Sequence, residues 1–436
     1  MRIALISPAA LITGDRKLND ILSKYPNISN YTQSLTRAFS SGLLVIASLT
    51  PKNIEIKVID ENYDSIDFTE RFDLVGISAM TQQASRAYQI ADRFRSQGAT
   101  VVLGGIHATT TPEEAIKHCD SVFIGEAEKT WPIFLKDFQN NRIAPFYRSN
   151  RLADLTKSPI PRYDLLKKDC YRVIWLQTGR GCPHDCEFCA ASQIYGLKYR
   201  HKSIKQVVGE ITLIHNIWPN AHINFSDDNL FLDRNFSKEL VKHIRNLNFR
   251  WFAQTDVSIA NDQMFLNDLR EAGCTTLFIG FETISAKSLS SVNKNLWKLR
   301  QLKNYPKAID RIQSKGIGII GAFIIGFDED TNETFDELAD FIIRNNIFIP
   351  QITILTPLPG TRLYERLKEK GRLLNNPWSQ FTCTEVNFVP SNMSVDQLSS
   401  GLYHIYERVY APEVRGKVVK HFKNIYKKLL VNRDTK

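Results

Sequence analysis

The chain has 436 residues, of which 43% are hydrophobic and 23% are charged. These values exclude a disordered or fibrous protein and, at roughly 150 residues per domain, predict a globular chain of two or three domains. The net charge of +10 admits a nucleic-acid or anionic-membrane partner, and the distribution of that charge along the chain decides between them.

No segment has the character of a membrane span or a signal peptide. The longest uninterrupted apolar stretch, 316–327, is shorter than the ~20 residues that a spanning helix needs. The first residues, MRIALISPAALI, are interrupted by Pro8 and no cleavage pattern follows. We therefore expect a buried first strand and a cytoplasmic protein. Seven cysteines in such a chain favour metal or redox use over disulfides.

Short aliphatic runs alternate with helical stretches over the first 139 residues. Strands that alternate with helices favour right-handed crossovers and a parallel sheet. The pattern predicts a doubly wound, Rossmann- or flavodoxin-like α/β domain. The predicted strands are 2–7, 54–59, 74–78, 100–103 and 121–124.

The segment 140–165 has three prolines and no helical or strand period, which predicts a linker. A second series of strands and helices follows. Its six β/α units are too few for a closed eight-stranded barrel and predict an open, partial (β/α)6 barrel with functional groups at the carboxyl ends of its strands. The predicted strands are 173–177, 222–225, 250–255, 276–281, 318–325 and 351–355, and the predicted helices are 203–217, 237–246, 263–272, 305–314 and 332–344.

A proline-rich turn at 356–360 ends the barrel, and the remainder has helical patterns. Ser394 and Gln397 form a capping-box pattern, and Pro412 suits the first turn of a final helix. The predicted divisions of the chain are 1–139, 140–165, 166–360 and a helical C-terminal extension at 361–436.

Three cysteines, Cys182, Cys186 and Cys189, form a CxxxCxxC pattern directly after the first strand of the second series. Three thiolates at this spacing can hold an iron–sulfur cluster and leave one iron without a protein ligand. Two other interpretations stay open: three buried cysteines, or a zinc site completed by His184. Structural zinc sites usually use paired CxxC units, and the sequence has no second pair.

This motif, with the aromatic Phe188 before its last cysteine, resembles that of the radical S-adenosylmethionine (SAM) superfamily. The resemblance implies a 4Fe–4S cluster whose open iron chelates the amino and carboxylate groups of SAM. It also implies that one electron from the reduced cluster cleaves the sulfonium bond and gives a 5′-deoxyadenosyl radical, with Phe188 among the residues at the cofactors.

Later strand ends match the positions at which this superfamily binds SAM. Asp227 and Asp228 end the second strand, where the resemblance implies groups near the SAM amino group. Glu282 ends the fourth strand, where a carboxylate reaches the amino group or the ribose hydroxyls. Gly326 ends the fifth strand, where a glycine lets the adenine approach the main chain. Taken singly, these sequences are also typical of a solvated turn and of a simple bend.

Small residues follow the strands of the first domain, where they let a ligand tail lie against the main chain. This layout resembles the cobalamin-binding domain that precedes the barrel in one large radical SAM subgroup. The resemblance implies cobalamin contacts at the strand ends. The residues at these positions are Ser78, Met80, Gly104, Gly105, Gly125 and Glu126.

The first domain departs from many cobalamin domains in one loop. Those domains ligate cobalt through a histidine after the first strand, whereas this loop begins with SPAA at residues 7–10. Members of the subgroup often lack the histidine too, so the departure argues against histidine ligation more than against cobalamin. His107 is a weaker candidate ligand, since a lone loop histidine is more often solvated. If no cobalamin binds, the domain only packs on the barrel.

The resemblance implies a radical SAM, cobalamin-dependent C-methyltransferase that acts on an unactivated carbon of a small-molecule or lipid-like substrate. The radical would abstract hydrogen, methylcobalamin would deliver the methyl group, and a second SAM would remethylate the cobalamin. The C-terminal extension resembles that of hopanoid-lipid methylases and of the anaerobic porphyrin-ring cyclase. An electron donor such as flavodoxin or ferredoxin is an expected partner.

Three alternatives remain open. The first is a cyclase, oxidoreductase or rearrangement enzyme that uses the same cofactors without methyl transfer. The second is a tRNA methylthiotransferase, against which the first domain has only Cys119 in place of an extra cysteine set. The third is a cobalamin sensor without enzymatic activity, against which the cysteine triplet argues.

The positive charge is concentrated at the C-terminus. Residues 413–436 carry eight Lys or Arg against two acidic residues, so they account for more than half of the net charge. A basic amphipathic helix of this kind is typical of contact with an anionic membrane surface; a solvated helix docked by its apolar face is the simpler alternative. We therefore expect no nucleic-acid partner and a peripheral membrane contact through this tail.

Overall fold

A computed structural model of the chain describes residues 1–10, 13–25 and 39–434. The first unit is built on a parallel sheet. Its strands are β1 (Arg2–Ser7), β2 (Glu55–Asp60), β3 (Leu74–Ser78), β4 (Thr100–Gly104), β5 (Ser121–Ile124) and β6 (Phe146–Arg148). Their order is β2-β1-β3-β4-β5-β6. The predicted doubly wound topology is confirmed, and all five predicted strands are present within one residue of their expected ends.

One strand of this sheet was not predicted. β6 lies inside the segment 140–165, which the sequence pattern assigns to a linker, and pairs in parallel with β5. The expectation of a segment without strand structure was wrong at these three residues. β6 is a short edge strand directly after Pro145, and three residues are too few to show a period-2 pattern.

Helices cover both faces of this sheet, and two cores result. One core lies between β1, β3, β4 and the helix at Ala84–Ser96, and the other is continuous with the core of the rest of the protein. Among the described residues, the helices of this unit are α1 (Arg16–Ser23), α2 (Ser41–Leu49), α3 (Ala84–Ser96), α4 (Gly105–Thr110), α5 (Pro112–Ala115) and α6 (Thr130–Gln139).

The second unit is an open sheet of six parallel strands in the order β14-β13-β12-β11-β10-β7. These strands are β7 (Val173–Leu176), β10 (His222–Phe225), β11 (Trp251–Thr255), β12 (Cys274–Glu282), β13 (Gly318–Ile325) and β14 (Ile349–Ile354). Neighbours in sequence are neighbours in space, and β7 and β14 are unpaired edges of this sheet. The predicted partial barrel is confirmed. A short antiparallel pair, β8 (Gly179–Arg180) and β9 (Arg200–His201), follows β7.

The helices of the second unit are α7 (Ala190–Tyr195), α8 (Ile204–Ile217), α9 (Arg234–Ile244), α10 (Gln263–Glu271), α11 (Ala286–Val292), α12 (Trp297–Gln301), α13 (Tyr305–Gln313) and α14 (Glu333–Arg344). The five predicted helices of the second unit are present within three residues of their expected ends, and three short helices, α7, α11 and α12, were not predicted.

The C-terminal extension closes one side of the barrel. It contains α15 (Arg362–Glu369), α16 (Val395–Val409) and α17 (Pro412–Asp434). The predicted capping box of Ser394 and Gln397 is present at the start of α16. The Tyr406 hydroxyl donates to the Ile352 main-chain oxygen at 3.0 Å, which ties α16 to the edge strand β14. Within the described part of the chain, no helix is both long and apolar enough to cross a membrane.

Candidate active site

The three cysteines of the CxxxCxxC pattern lie on one loop after β8. All three are free thiols; Cys186 is buried, and Cys182 and Cys189 are half-buried. Hydrogen bonds fix the loop main chain: Cys182 donates to the Gly196 oxygen at 3.2 Å, and Cys189 donates to the Cys186 oxygen at 3.2 Å. The thiols are close enough to influence one another electrostatically. The loop therefore presents the three sulfurs as one group.

The chemistry of this donor set fits a cluster and not a single metal ion. Across the described residues, no three Cys, His, Asp or Glu side chains converge as ligands of one ion. In a cluster each cysteine binds a different iron, so the sulfurs stand further apart than the ligands of zinc do. His184 does not complete a zinc site either, since its Nε2 lies 3.0 Å from the Asp256 carboxylate. The zinc interpretation is thus disfavoured.

Burial raises the pKa of the Cys182 thiol to about 11 and that of Cys186 to about 12. It raises the pKa of Cys189 as well. The free thiols are therefore protonated at neutral pH, and binding of iron must displace their protons.

Ion pairs from the C-terminal extension hold the cysteine loop from outside. Arg362 pairs with Asp185, and Arg366 pairs with Glu187 at 2.8 Å. Arg366 also reaches Asp328, which follows β13, at 2.6 Å. Helix α15 thereby links the cysteine loop to the far side of the barrel mouth, which restricts movement of the loop.

Gly181, directly before the first cysteine, is a position that only glycine fits. Its φ is +96°, and a Cβ would lie 2.3 Å from the Lys198 main-chain oxygen. We expect Gly181→Ala to destabilise the protein by more than about 2 kcal/mol and to lower its iron content, because the loop must shift. Urea unfolding and iron analysis of the reconstituted protein measure both effects.

Gly98→Ala is the matched control for this prediction. Gly98 has a similar φ of +87°, but nothing lies within 4 Å of the Cβ position. Gly98→Ala should lower the free energy of unfolding by only about 1 kcal/mol, because it adds only the strain of a left-handed backbone. It should leave the iron content unchanged. An equal loss of stability in both variants would contradict the close packing at Gly181.

Glu282 ends β12 beside Cys186, in the neighbourhood that the sequence predicts. It lies at a register shift between β12 and β13 and has a φ of +65°, which is uncommon for a residue other than glycine. Its Oε1 lies 2.5 Å from the Nζ of Lys298, which also donates to the Gly280 oxygen at 2.7 Å. Burial alone would lower the pKa of Lys298, but the Glu282 carboxylate outweighs it and raises that pKa.

The two aspartates after β10 have different environments. Asp227 is buried and accepts hydrogen bonds from the Thr178 main-chain nitrogen at 2.8 Å and the Thr178 hydroxyl at 2.6 Å. Asp228 lies within electrostatic reach of Cys182 and Cys189. Desolvation and the neighbouring Asp227 raise the pKa of Asp228 to about 6. The structure therefore brings Asp228, and not Asp227, to the cysteines.

Gly326 has the positive φ of +97° that requires glycine, but its Cα is covered by the C-terminal extension. A Cβ there would lie 2.9 Å from the Leu398 side chain. The Gly326 main-chain nitrogen donates to the buried Asp330 at 2.9 Å. Phe327, the next residue, makes an edge contact with Phe188 at 6.4 Å between ring centroids. Phe188 thus connects the cysteine loop to the end of β13.

The predicted cobalamin residues of the first unit lie along one edge of its sheet. Ser78 and Gly104 are paired in register at the ends of β3 and β4. A Cβ on Gly105 would lie 2.8 Å from the Ala79 main chain, whereas the Cβ position of Gly125 has open space around it. Met80 is 49% exposed at the same edge. This small-residue edge fits a cofactor that lies against the main chain.

Glu126, another of the predicted cobalamin residues, pairs with two arginines. Its carboxylate pairs with Arg180 at 2.8 Å and with Arg200 at 3.0 Å. Burial alone would raise the pKa of Glu126, but the two guanidinium groups outweigh it and lower that pKa. Arg180 precedes Cys182 by two residues, so this ion pair joins the cofactor edge of the first sheet to the cysteine loop of the barrel.

The side chain of His107 is not exposed at this edge. It is buried, and its Nε2 lies 2.9 Å from the Tyr88 hydroxyl. Its ring also contacts Trp378 of the C-terminal extension, with 5.0 Å between centroids. Burial lowers the pKa of His107 to about 4. The structure thus places this histidine in the interior, with its Nε2 in contact with a protein hydroxyl.

Comparison with known proteins relates the cysteine loop and the small-residue edge of the first sheet to cofactors. The Radical SAM superfamily matches residues 176–342, the B12 binding domain matches 36–135, and a domain of unknown function (DUF4070) matches 361–435. The chain is 31% identical over 358 residues to bacteriochlorophyllide d C-8(2)-methyltransferase of Chlorobaculum tepidum, which covers 79% of each protein. The chain belongs to the cobalamin-binding radical SAM family.

Other members of the radical SAM family agree with this assignment. The hopanoid C-2 methylase of Rhodopseudomonas palustris is 28% identical over 386 residues, which covers 85% of this chain and 71% of the methylase. The fold matches that of the radical SAM methyltransferase TsrM from Kitasatospora setae, with a TM-score of 0.73 and 15% identity, over 100% of this chain and 99% of TsrM. Membership makes the chain an enzyme that uses a 4Fe–4S cluster, SAM and cobalamin.

Several residues of this site were missed by sequence reasoning. Lys298 lies 16 residues from its partner Glu282, and Arg180 lies 54 residues from Glu126. Arg362 lies 177 residues from Asp185. No local spacing connects such pairs, because the fold brings them together. The only local signal was the charge itself, an arginine two residues before a cysteine motif.

Proposed function

We propose that this protein is a cobalamin-dependent radical SAM C-methyltransferase that acts on an unactivated carbon of a small-molecule or lipid-like substrate. One observation carries the proposal: the small-residue edge of the first sheet is fastened to the cysteine loop through Glu126 and Arg180 at 2.8 Å. A methyl carrier and a radical generator must share one cavity if they act on the same carbon, and this contact sets the two edges side by side.

The chain's own residues would bind and orient the cofactors. Cys182, Cys186 and Cys189 would hold the cluster. Asp228 and Glu282 lie within electrostatic reach of these cysteines, and in this proposal they bind the cationic amino group of SAM. When bound, the cluster supplies the electron that cleaves SAM, and cobalamin carries the methyl group. The packed mouth of the barrel would exclude water from the radical.

The contacts to cobalamin belong to the same proposal. Ser78, Gly104, Gly105 and Gly125 would line its binding edge, with the exposed Met80 beside them. Phe188 would lie between the cluster loop and the end of β13. The division of the chain into 1–139, 140–165, 166–360 and 361–436 is also retained, with 140–165 as a connection that contributes β6.

The test of this function needs no carbon substrate. The protein is reconstituted anaerobically with iron, sulfide and cobalamin, reduced with titanium(III) citrate, and given SAM that carries a deuterated methyl group. We expect the labelled methyl group on cobalamin, S-adenosylhomocysteine as the second product, and slow release of 5′-deoxyadenosine. These products are measured by mass spectrometry.

A cyclase or rearrangement enzyme gives a different result. It would release 5′-deoxyadenosine without methylating cobalamin and without forming S-adenosylhomocysteine. That outcome would refute the methyltransferase function while retaining the radical chemistry. The control is free cobalamin with SAM and reductant in the absence of protein, which measures any spontaneous methyl transfer.

The related methyltransferases are named for a hopanoid and for bacteriochlorophyllide, and both names denote large apolar molecules. We infer a substrate of similar character for this chain. A low-potential electron carrier such as flavodoxin or ferredoxin would supply the electron. These two partners are part of the proposal.

Helix α17 supports a peripheral membrane contact. Val418 and Phe422 are buried against the barrel, whereas Val419 is 50% and Leu430 is 62% exposed. Five lysines lie between residues 417 and 428. Exposed apolar side chains among lysines match the chemistry of an anionic lipid surface.

We expect the protein to sediment with vesicles that contain phosphatidylglycerol and not with pure phosphatidylcholine vesicles. Lys420→Glu with Lys427→Glu should weaken this binding at least about tenfold, because each lysine contributes about 1 kcal/mol near such a surface. Lys52→Glu with Lys205→Glu is the control, since it changes the net charge equally at exposed positions of other elements. Equal loss in both double variants would refute a specific role of α17.

A further inference from the structure

Asn293 is paired through its main chain with one of the three cysteines. It forms an isolated antiparallel bridge with Cys186, and the Glu187 main-chain nitrogen donates to the Val292 oxygen at 2.9 Å. The Asn293 side chain is buried, with the residue 2% exposed. These main-chain contacts hold the end of α11 and the residue after it against the cysteine loop.

Only one of the two polar groups of the Asn293 side chain has a hydrogen-bond partner among the described residues. Its Oδ1 accepts a hydrogen bond from the Trp297 main-chain nitrogen at 3.1 Å. Its Nδ2 is buried and has no acceptor among the residues that the structure describes. Buried amide groups are nearly always paired, since an unpaired donor loses its bonds to water. The Nδ2 therefore requires an acceptor that the chain itself does not supply.

The residue opposite Asn293 in the bridge is Cys186, and opposed residues of an antiparallel pair carry their side chains on the same face. Lys298, the other buried donor at this place, already donates to Glu282 and to the Gly280 oxygen. Cluster sulfur carries negative charge and accepts hydrogen bonds from amides. Asn293 is neutral at every pH, so it donates without exchanging a proton.

We propose that the Asn293 amide donates a hydrogen bond to sulfur of the 4Fe–4S cluster and raises the cluster's reduction potential. The inference rests on the proposed function only through the presence of the cluster. In the reduction, one electron passes from an external donor to the cluster, and no bond is broken. A hydrogen bond to sulfur stabilises the added negative charge, so it favours the reduced form.

Three variants of the full-length, reconstituted protein test this role. Asn293→Asp keeps the acceptor for the Trp297 nitrogen and removes the amide donor. Asn293→Ala removes the donor without adding charge. Asn295→Asp is the matched control, because Asn295 also accepts from the Trp297 nitrogen, at 3.0 Å, but is exposed. The midpoint potential is measured by titration with titanium(III) citrate, followed by electron paramagnetic resonance of the reduced cluster.

We expect a more negative midpoint potential in N293D and N293A, the larger shift in N293D, and an unchanged value in N295D, all at equal iron content. An unchanged potential in N293A with full iron content would overturn the proposal. A wild-type protein that takes up no cluster would instead refute the proposed function, so the two failures are distinguishable.

A second measurement detects the hydrogen-bonding nitrogen directly. Wild-type protein labelled with asparagine carrying ¹⁵N in the side chain is reduced, and pulsed electron paramagnetic resonance is used to detect magnetic coupling between the cluster and this nitrogen. We expect a coupling that is absent from the N293A protein. A wild-type cluster without any side-chain ¹⁵N coupling would also overturn the proposal.

Discussion

Replacement of Cys186 by serine is expected to remove the iron–sulfur cluster and to lower 5′-deoxyadenosine release by at least about a thousandfold. Cys186 is the buried member of the triplet and lies at the bridge to Asn293. A serine oxygen is a poor replacement for a thiolate toward iron, and no described cysteine outside the triplet lies in this loop to take its place. Iron and sulfide analysis, visible absorbance and product quantification measure the loss.

Cys170→Ser is the matched control for this prediction. Cys170 is half-buried like Cys182 and Cys189, but it lies outside the cysteine loop. It should leave the iron content and the activity unchanged. Retention of full activity after replacement of Cys182, Cys186 and Cys189 together by alanine would refute every form of radical chemistry for this protein.

Lys298→Met is expected to destabilise the protein by about 3–5 kcal/mol, because it leaves the Glu282 carboxylate unpaired in a buried position. The side chains of the pair are 7% and 11% exposed. The raised pKa of Lys298 means that the pair contributes its full stability below pH 10.5, the ordinary lysine value, and loses it only as the pH rises further. Urea unfolding of the anaerobic, cluster-loaded protein at neutral pH measures the effect.

The double variant Glu282→Gln with Lys298→Met distinguishes the effect of the ion pair on stability from the role of Glu282 in SAM binding. Because it removes both charges, we expect it to recover most of the lost stability. It should still fail to bind SAM if Glu282 contacts SAM as proposed, and equilibrium dialysis with labelled SAM measures this. Lys238→Met is the control at an exposed pair, 2.8 Å from Asp262, where a loss below about 1 kcal/mol is expected. An equal loss in K298M and K238M would contradict the importance of burial at Lys298.

The fold was largely predictable because its strands are local features. Each strand of the two six-stranded sheets except the short β6 is a largely apolar run between turns, and such runs are visible without knowledge of their neighbours. The strands β8 and β9 of the separate antiparallel pair are equally hard to see. β6 has three residues, and β8 and β9 have two each. Strands of this length are defined by their partners, so their sequences carry no period.

The candidate site was predictable only in part. The cysteine motif is local, since its eight residues form one loop, and the structure presents those three sulfurs together. The cofactor contacts of Gly326 and Glu126 stay predictions, and the structure adds contacts that the sequence does not show. The Cβ position of Gly326 lies against Leu398, 72 positions later in the chain, and Glu126 pairs with Arg180 and Arg200.

The sequence by itself determined the chemistry, because the spacing of Cys182, Cys186 and Cys189 selects a cluster and the alternation of strands selects two parallel sheets. Only the tertiary structure decided which charges meet. It pairs Glu126 with Arg180 and Lys298 with Glu282. It also binds the Asp227 carboxylate to Thr178 and pairs the main chain of Asn293 with that of Cys186. The physical reason is that ion pairs and buried hydrogen bonds depend on distances in space, whereas a motif depends on distances along the chain.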